Sequence, residues 1–138
     1  MSRLFVAAAL ALSVCAVSTA DEPKKEKATV DLFASVEDET LKKEAPESDV
    51  IVSAKAWEKL AKAWGIKDPA KVDFAKEILV VQTTVGSRLT VTTKLDDTGD
   101  LKVLGIATRD LRPGFRYAIK SVSKEGVKTV NGKELPKE

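Results

Sequence analysis

Histidine is absent from the 138 residues, and cysteine and methionine occur once each, as Cys15 and Met1. Both fall in the first twenty positions, so residues 21–138 carry no imidazole, thiol or thioether. Ser-His-Asp and Cys-His nucleophilic systems, His-based zinc sites and c-type haem attachment each lose a required group there, and no disulfide can form. Chemistry that needs only Asp and Glu survives this filter, namely hydrolysis by paired carboxylates and calcium binding by oxygen ligands. No cofactor is expected. An excess of one charge is also missing: the formal net charge is +2, and +1 once residues 1–20 with their single Arg3 are set aside. Nucleic-acid binding rests on a concentrated basic surface, so near neutrality argues against it. Arg109, Arg112 and Arg116 do cluster, and read as solvated arginines flanking a turn.

Long apolar runs are scarce as well. The stretch from Leu4 to Val17 is short for a bilayer span, which needs roughly 20 apolar residues, and no later segment comes close. Arg3 before it and Ser18-Thr19-Ala20 after it describe a secretory signal peptide over residues 1–20, cleaved after Ala20. The rival reading is a bacterial lipobox at Leu12-Ser13-Val14-Cys15, with Cys15 as the lipidated first residue, although Val14 is bulkier than the small residue usual there. The expected destination is therefore secreted or periplasmic, with lipid anchoring at Cys15 as the alternative. Residues 21–28, beginning "DEPKKEK", read as a flexible charged leader, and 29–138 as a single domain.

What is present is a succession of short strands around one helix. "TVDLFASV" (29–36) is rich in β-branched and aromatic residues, and "EDETLKKEAPES" (37–48) reads as a loop with one helical turn. After a short strand at 50–52, Ser53 stands where an N-cap belongs, and Ala54, Trp57, Leu60, Ala61 and Trp64 share one helical face. Gly65 can supply the left-handed residue that ends this helix. Both indoles are expected beneath a sheet; the alternative is an exposed aromatic platform for sugar or peptide. "EILVVQTTV" (77–85) reads as a strand buried on both faces, and "SRLTVTTKL" (87–95) as a half-buried one with Leu89, Val91, Thr93 and Leu95 inward. Pro113-Gly114 fits a type II turn before "FRYAIKSV" (115–122), with Phe115, Tyr117 and Ile119 inward, and Asn131-Gly132 marks a tight hairpin. The predicted fold is α+β, a small antiparallel β-sheet domain with one amphipathic helix packed on the sheet.

Asp97-Thr98-Gly99 is the tripeptide that aspartic proteases place at their catalytic carboxylate. Here Asp96 and Asp100 flank it, and three adjacent acids resist burial, so the segment reads as the hairpin turn between residues 87–95 and 101–108. Weak calcium binding at Asp96–Asp100 is the competing reading, though the alternating acids and distal Glu of an EF-hand loop are missing.

Trp57 and Trp64 on the helix, then "KVDFAKEILVV" (71–81), the Gly86 turn and "RPGFRYAIKSV" (112–122) together resemble the domain of PrcB-type protease-complex subunits over residues 50–122. The matching positions are Trp57, Val72, Asp73, Phe74, Lys76, Glu77 and Gly86, with Pro113 and Tyr117 near the family's closing strand. The family's Gly-Gly-Tyr segment is replaced by Arg88-Leu89-Thr90-Val91. The resemblance implies an exported, non-catalytic module whose protein partner is a protease. From the residues themselves, Asp73 reads as an Asx cap of its turn and Phe74 as a core aromatic. Phe115, Tyr117, Arg112 and Arg116 are the expected partner contacts, with docking by strand addition to a sheet edge or to 115–122. A carboxylate-only secreted hydrolase and a structural envelope component are the other functions the composition permits.

Overall fold

The structure, a computed structural model, describes residues 29–137. The expected signal peptide, the charged leader and Cys15 lie outside the described residues. The fold is α+β, with eight strands and one short α-helix among the described residues.

β1 (Asp31–Val36) is followed by a 3-10 turn, Glu39–Glu44, that Asp38 caps by accepting from the Thr40 amide at 2.9 Å. β2 is only Val50–Ile51, and α1 (Ala54–Ala63) begins where Ser53 Oγ accepts from the Ala56 amide at 3.3 Å. α1 ends as its glycine predicts. Gly65 has φ +66, and the Ile66 amide donates back to the Ala61 carbonyl at 2.8 Å, closing the last turn with a left-handed residue. β3 (Glu77–Thr84), β4 (Leu89–Leu95), β5 (Asp100–Ala107) and β6 (Phe115–Ser123) are the long strands, and β7 (Thr129–Val130) and β8 (Lys133–Glu134) form the closing hairpin through Asn131-Gly132.

The strands form two sheets where the sequence suggested one. The first has the order β1-β6-β3-β2 and the second β4-β5-β7-β8, and all pairs are antiparallel except β5 with β7. Alternation along β3 and β6 explains the layering. Leu79, Val81, Phe115, Tyr117 and Ile119 face α1 and pack with Trp57, Leu60 and Trp64. Ile78 and Val80 face the other way and pack with Leu101 and Val130 of the second sheet. The first sheet is thus covered by the helix on one face and by the second sheet on the other, which is why β3 reads as a continuous apolar run.

Both indoles lie in the helix-side core, as expected, and each buried N–H finds a carbonyl: Trp57 Nε1 donates to Ala70 at 3.0 Å and Trp64 Nε1 to Leu41 at 2.9 Å. Asp73 Oδ1 accepts from the Ala75 amide at 3.1 Å, the expected turn cap. Phe74 is half-buried at the rim of this core rather than inside it. Two glycines are demanded by close backbone approach. A Cβ on Gly86 would stand 2.2 Å from the Thr108 carbonyl oxygen, and one on Gly114, whose φ is +71, would stand 2.2 Å from that of Val36.

Candidate functional site

Four residues were expected to touch a partner, and the structure separates them into two pairs. Phe115 is 0% exposed and Tyr117 5%, both against Trp64, so neither side chain is available to a partner. Docking by strand addition to 115–122 is corrected for the same segment. β6 already pairs with β1 on one edge and β3 on the other, which leaves its backbone no free donors or acceptors along the ladder. Arg112 and Arg116 remain at the surface. Arg112 Nε donates to Asp110 Oδ2 at 3.1 Å, and Arg116 Nη1 reaches the Val85 carbonyl at 3.5 Å.

Asp110 ties the base of the β4–β5 ribbon together. Its Oδ1 accepts from the Ser87 amide at 3.0 Å, and bonds from Thr108, Ser87 and Arg112 hold its carboxyl well below the usual carboxylate range. This clasp, with Gly86 pressed on Thr108, fixes where the ribbon begins.

At the far end of the ribbon, the Asp97-Thr98-Gly99 tripeptide is a turn. Asp96 Oδ1 accepts from Thr98 N at 2.9 Å, Thr98 Oγ1 at 2.6 Å and Asp100 N at 3.0 Å, while Gly99 takes φ +87. Asp97 is exposed. The acid that sequence reasoning missed is Asp100, which is buried. Its Oδ1 accepts from Thr129 Oγ1 at 2.8 Å and from the Gly132 amide at 2.9 Å, and its Oδ2 is paired with Lys102 Nζ. The Lys102 ammonium, the Gly132 amide and the Thr129 hydroxyl together pull its pKa down to about 2. This carboxylate is spent on joining the β4–β5 hairpin to the β7–β8 hairpin, an assembly role rather than a proton-transfer one. Among the described residues, no three His, Cys, Asp or Glu gather as a metal would require.

An open groove of about 760 Å³ lies at the Glu77–Ser123 end of the first sheet, between Thr29, Asp73, Lys76, Glu77, Ser123, Lys124 and Glu125. Of its three carboxylates, those of Asp73, Glu77 and Glu125, two are engaged: Asp73 with the Ala75 amide and, at 3.8 Å, with Lys76, and Glu77 with Thr29 Oγ1 at 2.9 Å.

The surface left without a structural use is the outer face of the ribbon. The register pairs Thr90 with Ile106, Thr92 with Leu104 and Lys94 with Lys102, and all six side chains face away from the first sheet. Leu104 is 57% exposed and Ile106 59%. Among the described residues, no strand pairs the outer side of β5 beyond Leu101, and β4 ends its sheet. The sequence signal was available: in "LKVLGI" apolar residues fall on both faces of β5, and only one face can be the core.

These features define a small α+β domain in which one face of a two-stranded ribbon is left to solvent. No family model, curated protein or solved structure matches the chain. Among the described residues, no helix is long and apolar enough to cross a membrane.

Proposed function

We propose that this chain is an exported, non-catalytic protein-binding module, with an exported protease as its partner. The β4–β5 ribbon carries the reading. It presents Leu104 and Ile106 to solvent on a surface bordered by the cations Arg88, Lys94 and Lys102, and β4 offers beside them a strand edge that no described strand pairs. Exposed aliphatics next to a free edge favour capture of another chain through main-chain bonds with side-chain specificity. The partner class comes from the resemblance of residues 50–122 to PrcB-type subunits, and the replaced Gly-Gly-Tyr segment lies at the start of this same ribbon.

The test is affinity capture with tagged chain from the cross-linked exported fraction of its own organism, beside the double variant L104S/I106S. One protease recovered at near-equal abundance by the native chain and lost from the variant supports the reading. Equal recovery by both removes the outer face of the ribbon, but not the β4 edge, as the docking surface, and no specific recovery removes the binding function.

A further inference from the structure

The two sheets are offset by one strand. A Cβ on Gly105 of β5 would stand 3.0 Å from Gln82 Oε1 of β3, which places β5 over β3. In the second sheet Gly105 is paired with Val91 of β4; in the first, Gln82 is paired with Ala118 of β6, and Ala118 in turn with Phe33 of β1. β4 therefore lies over β6, as the contacts between them show, and β1 extends one strand beyond the edge of the second sheet. Leu32 and Val36 point to the helix side, so Phe33 points the other way, onto this ledge, where it is 51% exposed.

The wall of the ledge is the free edge of β4. The Asp96 amide donates to the Asp100 carbonyl at 3.0 Å, and the Thr108 amide to the Arg88 carbonyl at 3.2 Å, so the even-numbered residues of the strand bond to β5. Their odd-numbered neighbours, Leu89, Val91, Thr93 and Leu95, turn their N–H and C=O groups toward the ledge. The floor along β1 and β6 runs from Asp31 beside Lys120, through Phe33 beside Ala118, to Ser35 beside Arg116.

We infer that this ledge binds one extended segment of a partner protein as a fifth strand of the second sheet, with an apolar residue seated on Phe33 and an acidic residue two places along over Arg116. The inference rests on the protein-binding reading above and names the site and the chemistry of its occupant. The residue that pairs with Val91 stands over Phe33, and its neighbours two places away stand over the two ends of the floor, because side chains on one face of a strand recur every second residue. Asp31 beside Lys120 balances one end. Arg116 makes its bond to the Val85 carbonyl, a neutral acceptor, so its charge is left for an incoming carboxylate. A second copy does not fit. Antiparallel pairing of two β4 edges is related by a two-fold axis normal to the sheet, and it would put β6 of the second copy where β1 already stands.

The test uses two nine-residue Thr- and Ser-rich peptides with a central Leu, one with Glu two places before it and one with Glu two places after, and a control for each with Lys in place of Glu. Amide NMR of the protein is followed during titration. Expected are saturable shifts of Leu89, Val91, Thr93 and Leu95 with at least one Glu peptide, weaker binding of its Lys control, and loss of about tenfold in affinity in Phe33→Ala, the scale of one buried aromatic contact. Val91→Pro, which removes one edge donor and leaves the β5 ladder intact, abolishes the shifts. L104S/I106S leaves them unchanged, which separates this site from the outer face of the ribbon. No shifts with any peptide, or binding indifferent to both Phe33→Ala and Val91→Pro, overturns the ledge while a positive capture experiment would still sustain the binding module. Protection of the four edge amides from hydrogen exchange in the free protein, whether from its own leader or from a second copy, overturns it as well.

Discussion

Trp64 meets Phe115 edge-on, with ring centroids 5.3 Å apart and planes at 66°, and lies tilted over Tyr117 at 4.8 Å. One residue past the end of α1 thus joins the helix to β6, one of the two central strands of the first sheet, and its indole N–H also holds the 3-10 turn through Leu41. Trp64→Ala is expected to cost about 3–5 kcal/mol, the range for emptying a buried aromatic site. Trp64→Phe keeps most of the contact and loses the bond to Leu41, so it costs less. Urea unfolding followed by circular dichroism measures both.

Asp100 makes stability depend on acid. Its carboxyl titrates at about 2 in the folded chain and at an ordinary 3.8 when unfolded, so between these values the unfolded state binds more protons. The stabilisation is complete above the unfolded value and is lost as pH falls from about 5 through 2. The depressed pKa values of Asp96 and Asp110 act in the same direction. Lys102, whose pKa is raised by Asp100, contributes below its unfolded value of 10.5, and that contribution is lost as pH rises through the higher folded value. Asp100→Asn should lower the melting temperature at pH 7 and flatten its fall between pH 5 and 2. An unchanged acid profile in this variant would assign the acid sensitivity to other groups.

Asn131 serves twice. Its φ of +48 suits the tight turn, and its side chain pairs with Val103 much as a strand backbone would, Oδ1 accepting from the amide at 2.8 Å and Nδ2 donating to the carbonyl at 3.3 Å. Asn131→Gly retains the turn and loses both bonds, at a cost of about 1–2 kcal/mol. Asn131→Ala loses the bonds and strains the turn, so it should be the less stable of the two in chemical denaturation.

Gly114→Ala places a methyl group 2.2 Å from the Val36 carbonyl at a backbone conformation that L-residues avoid. About 1–2 kcal/mol is expected from the φ alone, with the overlap added to it. The disturbance should appear as faster hydrogen exchange at the Val36–Phe115 end of the β1–β6 ladder, and uniform protection along that ladder would show that the turn absorbs the change.

Leu104 and Ile106 should matter little to folding. L104S/I106S removes side chains already more than half in water, so the double variant is expected within about 0.5 kcal/mol of the native chain. Thermal melts decide this, and a large loss would mean that the ribbon's outer face is packed in solution.

Several features were legible in the amino-acid sequence because they are decided within a few residues. Ser53 and Gly65 delimit α1 through one hydroxyl and one left-handed φ, and the spacing of Trp57, Leu60 and Trp64 fixes its buried face. The turns at Asp96–Asp100 and Asn131-Gly132, and the alternation that turns Phe115, Tyr117 and Ile119 inward, depend equally on local chemistry. Neighbours distant in the chain decided the rest. Only the insertion of β6 between β1 and β3 denies a partner the edge of 115–122, and the hydrogen bonds from the distant Thr129 and Gly132, added to the ion pair with Lys102, make burial of Asp100 tolerable beside two other acids. Phe33 reads in sequence like any strand aromatic. It stands exposed because the second sheet ends one strand short of β1, an offset set by how two sheets pack and by no residue near Phe33.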